Sequence, residues 1–506
     1  MNPCAFRPSC RPHPHLYEIN TWVWLKELSR KEKRMIRLGD VPDQEWDDLQ
    51  SKGFDYIWLM GIWERSPHSR SIARSDPGLQ KEYEQALPDW TAKDVVGSPY
   101  AIRAYRPDPE LGTWDQLDRV LEKLHQRGMQ LILDFVPNHT AVDHEWIQLH
   151  PEYYIQGTAK NLEAPPDEFF TIHVNGRALN LAHGKDPYFP AWTDTAQLNY
   201  FQEATRTALI EELKTIAQHC DGVRCDMAML VLNEVFQKTW GDFLGIEGTP
   251  AIEFWTEAIT AVSDLVWMAE VYWDLEWDLQ QLGFHFTYDK RLYDRLCHLA
   301  SDEILAHLNA DVNYQQHLVR FLENHDEPRS ASMFGNVRLP AAATLTATLP
   351  GMRFYHQGQL EGKKIRLPVQ LARMKEELLD HEIMDLYGHL LQITNERIFH
   401  EGQWRLLTMH SASDSSYTNL IGYLWELHTS QKIVAVNFGA IESQGFLDLF
   451  DGREAEDGFP SIFSYRDQLT GHEYAFNYED VVGRGLYIRL KPFDAHIFSV
   501  SAQEPH

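Results

Sequence analysis

A (β/α)8 TIM barrel with an inserted subdomain after its third strand and a C-terminal antiparallel β-sandwich is the α/β fold this sequence predicts. Three observations carry that prediction. Short apolar runs alternate with longer amphipathic segments up to residue 402, the rhythm of β-α repeats on a parallel sheet. The interval 137–199 is too long, and too rich in Pro, Gly and aromatics, for a plain connection. From 403 onward the pattern changes to strands alone, separated by turn-rich pieces such as Ser411–Ser416.

Taken in order, the runs Leu16–Trp24, Phe54–Leu59, Met129–Val136, Gly222–Met227, Leu265–Val271, Gly283–Thr287, Leu318–Glu323 and Met352–His356 read as strands. Eight is the number that closes such a barrel. Between them, Thr113–Arg127 places Leu117, Val120, Leu121 and Leu124 on one helical face and stops before Gly128, which suits a left-handed helix end. Phe201–His219 and Lys290–Leu308 read as helices in the same way. Arg65–Ser98 reads as a long loop on the barrel's C-terminal face. Trp404–Met409, Asn419–Leu427, Lys432–Phe438, Gly485–Leu490 and Ala495–Val500 read as sandwich strands. The expected domains are a barrel (1–136 and 200–402), an inserted subdomain (137–199) and a sandwich (403–506).

Composition narrows the function. The 506 residues hold 46 Lys plus Arg against 74 Asp plus Glu, a formal charge of −28. So acidic a surface repels phosphate backbones and anionic lipid, so neither nucleic acid nor a membrane surface is an expected partner. No run of 18 apolar residues is present, and the N-terminus lacks the apolar segment of a secretory signal. The five cysteines, Cys4, Cys10, Cys220, Cys225 and Cys297, are odd in number and lack CxxC spacing, which favours reduced thiols and a cytoplasmic location. The 16 Trp, 21 Tyr and 24 Phe supply both core and flat faces for sugar rings. Oligomeric state leaves no signature.

Four polar clusters follow predicted strands, where barrels carry their chemistry. They are Asp134-Phe-Val-Pro-Asn138-His139, Gly222-Val-Arg224-Cys-Asp226, Ala269-Glu270-Val271 and Glu323-Asn324-His325-Asp326. Arg224 and Asp226 share a strand face, while Cys225 points into the helix layer. Arg beside a carboxylate keeps it ionised, as a nucleophile requires. Glu270 follows the apolar run Leu265-Val-Trp-Met-Ala, surroundings that favour a protonated carboxyl and hence a general acid. Two carboxyls in opposed environments are the equipment of glycoside hydrolysis. The 24 histidines form no HExxH spacing, which argues against a dedicated metal hydrolase.

These four clusters resemble the ordered signature regions of the α-amylase family, glycoside hydrolase family 13. Gly97-Ser-Pro-Tyr100-Ala-Ile resembles the family's segment with a sugar-stacking Tyr, and Trp192-Thr-Asp-Thr-Ala-Gln-Leu-Asn199 its fifth region. The resemblance implies Asp226 as nucleophile, Glu270 as acid/base and Asp326 as transition-state stabiliser. It also implies sugar contacts from Tyr100, His139, Arg224 and His325, with Asp134 structural beside them. It further implies a calcium position at Asn138 and Asn199, although Asn199 stands where the family often has Asp, and a neutral amide weakens a hard-cation site. The chemistry itself requires no cofactor. Met227-Ala-Met-Leu230 replaces the Lys-His that many members carry after the nucleophile, which casts doubt on a standard endo-amylase leaving-group side. Arg329 is a candidate for a substrate hydroxyl or for the Glu327 carboxylate, and Trp90, Trp192 and Trp273 are candidate sugar platforms.

The expected activity is thus a retaining α-glycosidase on maltooligosaccharides or other α-linked glucans. A transglycosylase or phosphorylase on the same scaffold is the near alternative, because the acceptor is chosen by loop geometry. A non-catalytic sugar-binding homologue is the remote one, and the presence of all three carboxylates opposes it.

Overall fold

The computed structural model describes residues 11–157, 168–245, 248–298, 301–450 and 462–502. Eight parallel strands close into a barrel: β1 (His15–Asn20), β2 (Tyr56–Met60), β3 (Gln130–Phe135), β4 (Gly222–Cys225), β5 (Val266–Ala269), β6 (Phe286–Tyr288), β7 (Leu318–Arg320) and β8 (Met352–His356). β1 pairs with both β2 and β8 and so shuts the ring. Side chains alternate as the pleat demands. Leu16, Trp58, Ile132, Met268, Phe286 and Phe354 share the interior cluster. Tyr17, Ile57, Leu133, Val223, Cys225 and Trp267 face the helix layer, with Leu117, Val120 and Leu124 packed in the same cluster.

Several expected boundaries move. The run Leu16–Trp24 is a strand only to Asn20, after which Thr21–Glu32 is helical. Asn20 caps that helix by accepting from the Val23 N–H at 3.4 Å, and Trp22, Val23, Trp24 and Leu25 are all buried, so an unbroken apolar run conceals the change of period. Lys290–Leu308 divides into the helices Lys290–His298 and Ser301–Leu308. The interval 65–98 is no plain loop: it holds helices Pro67–Ser75 and Pro77–Ala86, each begun by Pro behind a capping side chain, Ser66 or Asp76.

Between β3 and β4 lie two small antiparallel sheets, one pairing His139–Ala141 with Thr195–Gln197 and the other Phe169–Val174 with Arg177–Ala182. Residues 158–167 of this interval, and Cys4 and Cys10, lie outside the described residues. After β8 and the helix His381–Thr394 come a six-stranded and a three-stranded antiparallel sheet. Trp404–Met409 splits between them, with Gln403–Leu407 in the larger and Met409–Ser411 in the smaller. Leu407, Leu424, Ile433, Leu447 and Ile488 fill the space between the two. The larger sheet is fastened to the barrel by Trp425, fully buried, whose indole N–H donates to the Thr348 carbonyl at 2.7 Å.

Candidate active site

β4 sends Arg224 inward, and the guanidinium is completely buried. Its Nη1 donates to Asp226 Oδ1 and its Nη2 to Glu270 Oε2, both at 2.7 Å, with Asp134 Oδ1 3.7 Å away. The rings of Trp58 and Tyr100 lie 5.2 Å from the guanidinium carbon and that of Tyr288 5.8 Å, so one cation serves three carboxylates inside an aromatic wall. The sequence pairs Arg224 with Asp226 and leaves Glu270 in apolar surroundings. In the folded molecule Arg224 bridges both. Asp134 is fastened to β2, accepting from the Gly61 N–H at 2.9 Å while its carbonyl accepts from the Trp63 indole at 2.7 Å. Cys225 faces away from the site, as strand alternation requires.

Glu270 is held at both oxygens. Oε2 also accepts from the Met227 N–H at 2.8 Å, and Oε1 accepts from the Tyr272 hydroxyl at 2.7 Å. Met227 adopts a left-handed conformation, φ 41°, turning the chain sharply after the strand so that its N–H meets Glu270. Burial pushes the Glu270 carboxyl up to about 7; Arg224 opposes the rise and the Asp226 charge adds to it. Burial raises Asp226 as well, again against Arg224. Two carboxyls on one guanidinium do not both ionise freely, and Glu270 is the one positioned to keep a proton near neutrality.

Asp326 stands at the open side, its side chain 49% exposed, while His325 is buried beneath it. The His325 Nε2 lies 3.0 Å from Asp326 Oδ2 and 2.6 Å from the Tyr100 hydroxyl, and its Nδ1 lies 2.5 Å from Glu18 Oε1. Desolvation raises the Asp326 carboxyl, but the charge and hydrogen bond of His325 outweigh it and bring it down to about 2. Tyr100 stacks on His325 with ring centroids 5.4 Å apart.

Asp226, Glu270, Asp326, Tyr100, His139 and Trp192 line one cavity of about 460 Å³. Burial lowers the His139 imidazole to about 4, so it is a neutral partner there. Arg329 is elsewhere: its Nη1 donates to Glu323 Oε1 at 2.6 Å and to the Gln357 carbonyl at 2.7 Å, whereas Glu327 pairs with Lys290 at 3.2 Å. Arg329 thus takes the structural one of its two expected roles, but on Glu323 instead of Glu327. Trp90 packs on Tyr83 in a separate apolar cluster. Trp273 lines a neighbouring cleft of about 480 Å³, its ring 5.0 Å from that of Tyr188.

Sequence reasoning missed Glu18, Trp58, Tyr272, Tyr288 and the Met227 N–H. One signal was available: Glu18 is a charge in an apolar strand, in phase with the inward Leu16. The side-chain oxygens of both calcium candidates are engaged within the protein. The Asn138 side chain donates to Gln197 Oε1 at 3.2 Å and accepts from Gln197 Nε2 at 3.0 Å, and Asn199 Oδ1 accepts from the Phe201 N–H at 3.1 Å. Among the described residues no group of three or more His, Cys, Asp or Glu is arranged to hold a metal ion, and no helix is long and apolar enough to cross a membrane.

A family model described as "Alpha amylase, catalytic domain" matches residues 44–380. The alpha-amylase MalA of Haloarcula japonica is 25% identical over 358 residues, covering 69% of this chain and 45% of that protein. The probable oligo-1,6-glucosidase 2 of Bacillus subtilis is 23% identical over 361 residues, covering 62% and 59%. The chain thus spans about half the length of the curated relatives it matches. The maltogenic alpha-amylase AmyB of Thermotoga neapolitana shares the fold, with a TM-score of 0.67 at 19% identity over 96% of this chain and 98% of that one.

Proposed function

Since the chain belongs to the α-amylase family, we propose that it is a retaining α-glycoside hydrolase acting on α-linked gluco-oligosaccharides through a covalent glycosyl-enzyme intermediate. The observation that carries this reading is the suspension of Asp226 and Glu270 from one guanidinium at the floor of a cavity that Asp326 borders. Adjacent nitrogens of one Arg favour the close carboxyl spacing of a retaining pair, about 5 Å, over the wider spacing of an inverting one. Asp226 attacks the anomeric carbon as the glycosidic bond breaks, and the Glu270 proton passes to the departing oxygen. Glu270 then takes a proton from water, whose oxygen displaces Asp226 and regenerates both groups. Asp326 and His325 bind the ring hydroxyls, and Tyr100 supplies its stacking face. The Asn138 and Asn199 side-chain oxygens are engaged by Gln197 and Phe201, and the acid, base and nucleophile steps need no metal.

Met227 and the buried turn Ala228–Val231 occupy the position where many members present Lys-His, so the leaving-group side lacks that cation. The Tyr188–Trp273 pair offers a second aromatic surface, in a cleft of its own. A reducing compartment, the cytoplasm, accords with the thiols of Cys225 and Cys297.

Incubation with defined maltooligosaccharides, with and without inorganic phosphate, tests the reading through products and anomers. Short sugars released with retained configuration support it. Longer products would assign transfer instead, and a phosphosugar phosphorolysis. Asp226→Asn is expected to lower kcat by about a thousandfold or more with the fold intact; near-normal turnover would remove Asp226 from its role.

A further inference from the structure

Glu18 is a fully buried carboxylate on β1 that the hydrolytic scheme leaves without a task. Its Oε1 lies 2.5 Å from His325 Nδ1, and its Oε2 has no hydrogen-bond partner among the described residues. An ionised carboxylate so placed is costly unless a cation stands beside it. Two groups are near enough. His356 Nε2 lies 3.9 Å from Glu18 Oε2, but its Nδ1 engages Arg329 and Glu323. Burial and the Arg329 charge lower that imidazole, so it is not the cation. His325 remains.

The geometry around His325 agrees. Carboxylate oxygens stand at both ring nitrogens, Glu18 Oε1 at Nδ1 and Asp326 Oδ2 at Nε2, and an ionised carboxylate only accepts hydrogen bonds. A ring protonated at both nitrogens satisfies both carboxylates, and the Tyr100 hydroxyl, 2.6 Å from Nε2, can accept there as well. The other neighbours are the Trp58 ring, edge-on at 5.5 Å, and Tyr100, with Arg224 and Asp134 further across the site. Burial alone lowers the imidazole, but the Asp326 and Glu18 charges reverse this and hold it well above its ordinary value.

We propose that Glu18 is a positioning residue that holds His325 as an imidazolium, so that its Nε2–H edge is presented to Asp326 and to the sugar hydroxyls in the cavity. The inference rests on the hydrolase reading for its consequence in turnover, and on geometry for the protonation itself. Neutralising Glu18 removes one of the two charges that raise His325 and leaves burial less opposed, so the imidazole gives up its proton at a lower pH than in the wild-type protein.

The test has two arms. In the 15N-histidine-labelled wild-type protein at about pH 8, His325, identified by the signal missing from His325→Gln, is expected to show two protonated nitrogens, and in Glu18→Gln one. On a maltooligosaccharide, Glu18→Gln is expected to lose about ten- to a hundredfold in kcat/KM at that pH and to recover as the pH falls toward 6. Glu18→Asp should keep the wild-type profile in part. A singly protonated His325 in the wild-type protein overturns the proposal without recourse to any Glu18 variant, and so does an unchanged pH profile in active Glu18→Gln. If the wild-type protein cleaves no α-glucoside, the hydrolase reading falls, and the nitrogen shifts still decide whether Glu18 holds an imidazolium.

Discussion

At the scale of single residues, Glu270 is the group on whose state the proposed mechanism depends. A general acid acts only when protonated, so with its carboxyl at about 7, kcat/KM is expected to decline as pH rises through that value. A rate profile on a slow α-glucoside measures this, and a flat profile from pH 6 to 9 would remove Glu270 as the acid. The same rise has a cost in stability. A carboxyl raised in the folded state above its ordinary 4.5 contributes stability that is present below that value and lost as pH rises through about 7. Glu270→Gln cannot ionise, so its stability relative to the wild-type protein is expected to improve between pH 5 and 8 by up to about 3 kcal/mol, read by urea denaturation at each pH.

Among the elements, the ends of β7 and β8 are joined by a charged knot that carries no chemistry of its own. Glu323, fully buried, accepts from Arg329 and Ser330 and faces His356 Nδ1 at 3.1 Å. Burial raises its carboxyl, but Arg329 and His356 outweigh that and hold it at about 2. Its contribution is therefore present above the ordinary carboxylate range and lost as pH falls through about 2. Glu323→Gln leaves the Arg329 charge unmatched at neutral pH, and about 3–5 kcal/mol of stability is expected to go with it, seen as a lower urea midpoint. The aromatic cleft beside β5 bears on substrate length instead. Trp273→Ala is expected to reduce kcat/KM about five- to tenfold for long maltooligosaccharides and much less for maltose, since a stacking face is worth about 1 kcal/mol; equal losses on both would deny the cleft a role in binding.

Across the whole molecule, the −28 charge bears on the folded state itself. Like charges on a compact body repel, and salt screens them within about 10 Å at 0.1 M. Raising NaCl from 0.02 to 0.5 M is accordingly expected to raise Tm by a few degrees, followed by calorimetry, and a fall would show that attractive pairs dominate the surface. The same field disfavours inorganic phosphate in the cavity, consistent with water as acceptor.

Order along the chain carries much of this molecule. Asp134, Asp226, Glu270 and Asp326 each follow an apolar run, and strand ends are where a closed barrel gathers such groups, so their convergence is legible before any coordinates. The period-two alternation likewise separates Arg224 from Cys225. Helix starts hidden in apolar runs are less legible, as at Thr21, because a fully buried first turn erases the change of period. Partners distant in sequence are not legible at all. Glu18 meets His325 across 307 positions, and Arg224 reaches Glu270 across 46 as well as Asp226 nearby. Which hydrogen bond a buried charge makes depends on the strands that closure brings alongside it. Closing the barrel, not local sequence, gathers a row of acidic residues into the proposed nucleophile, acid and stabiliser.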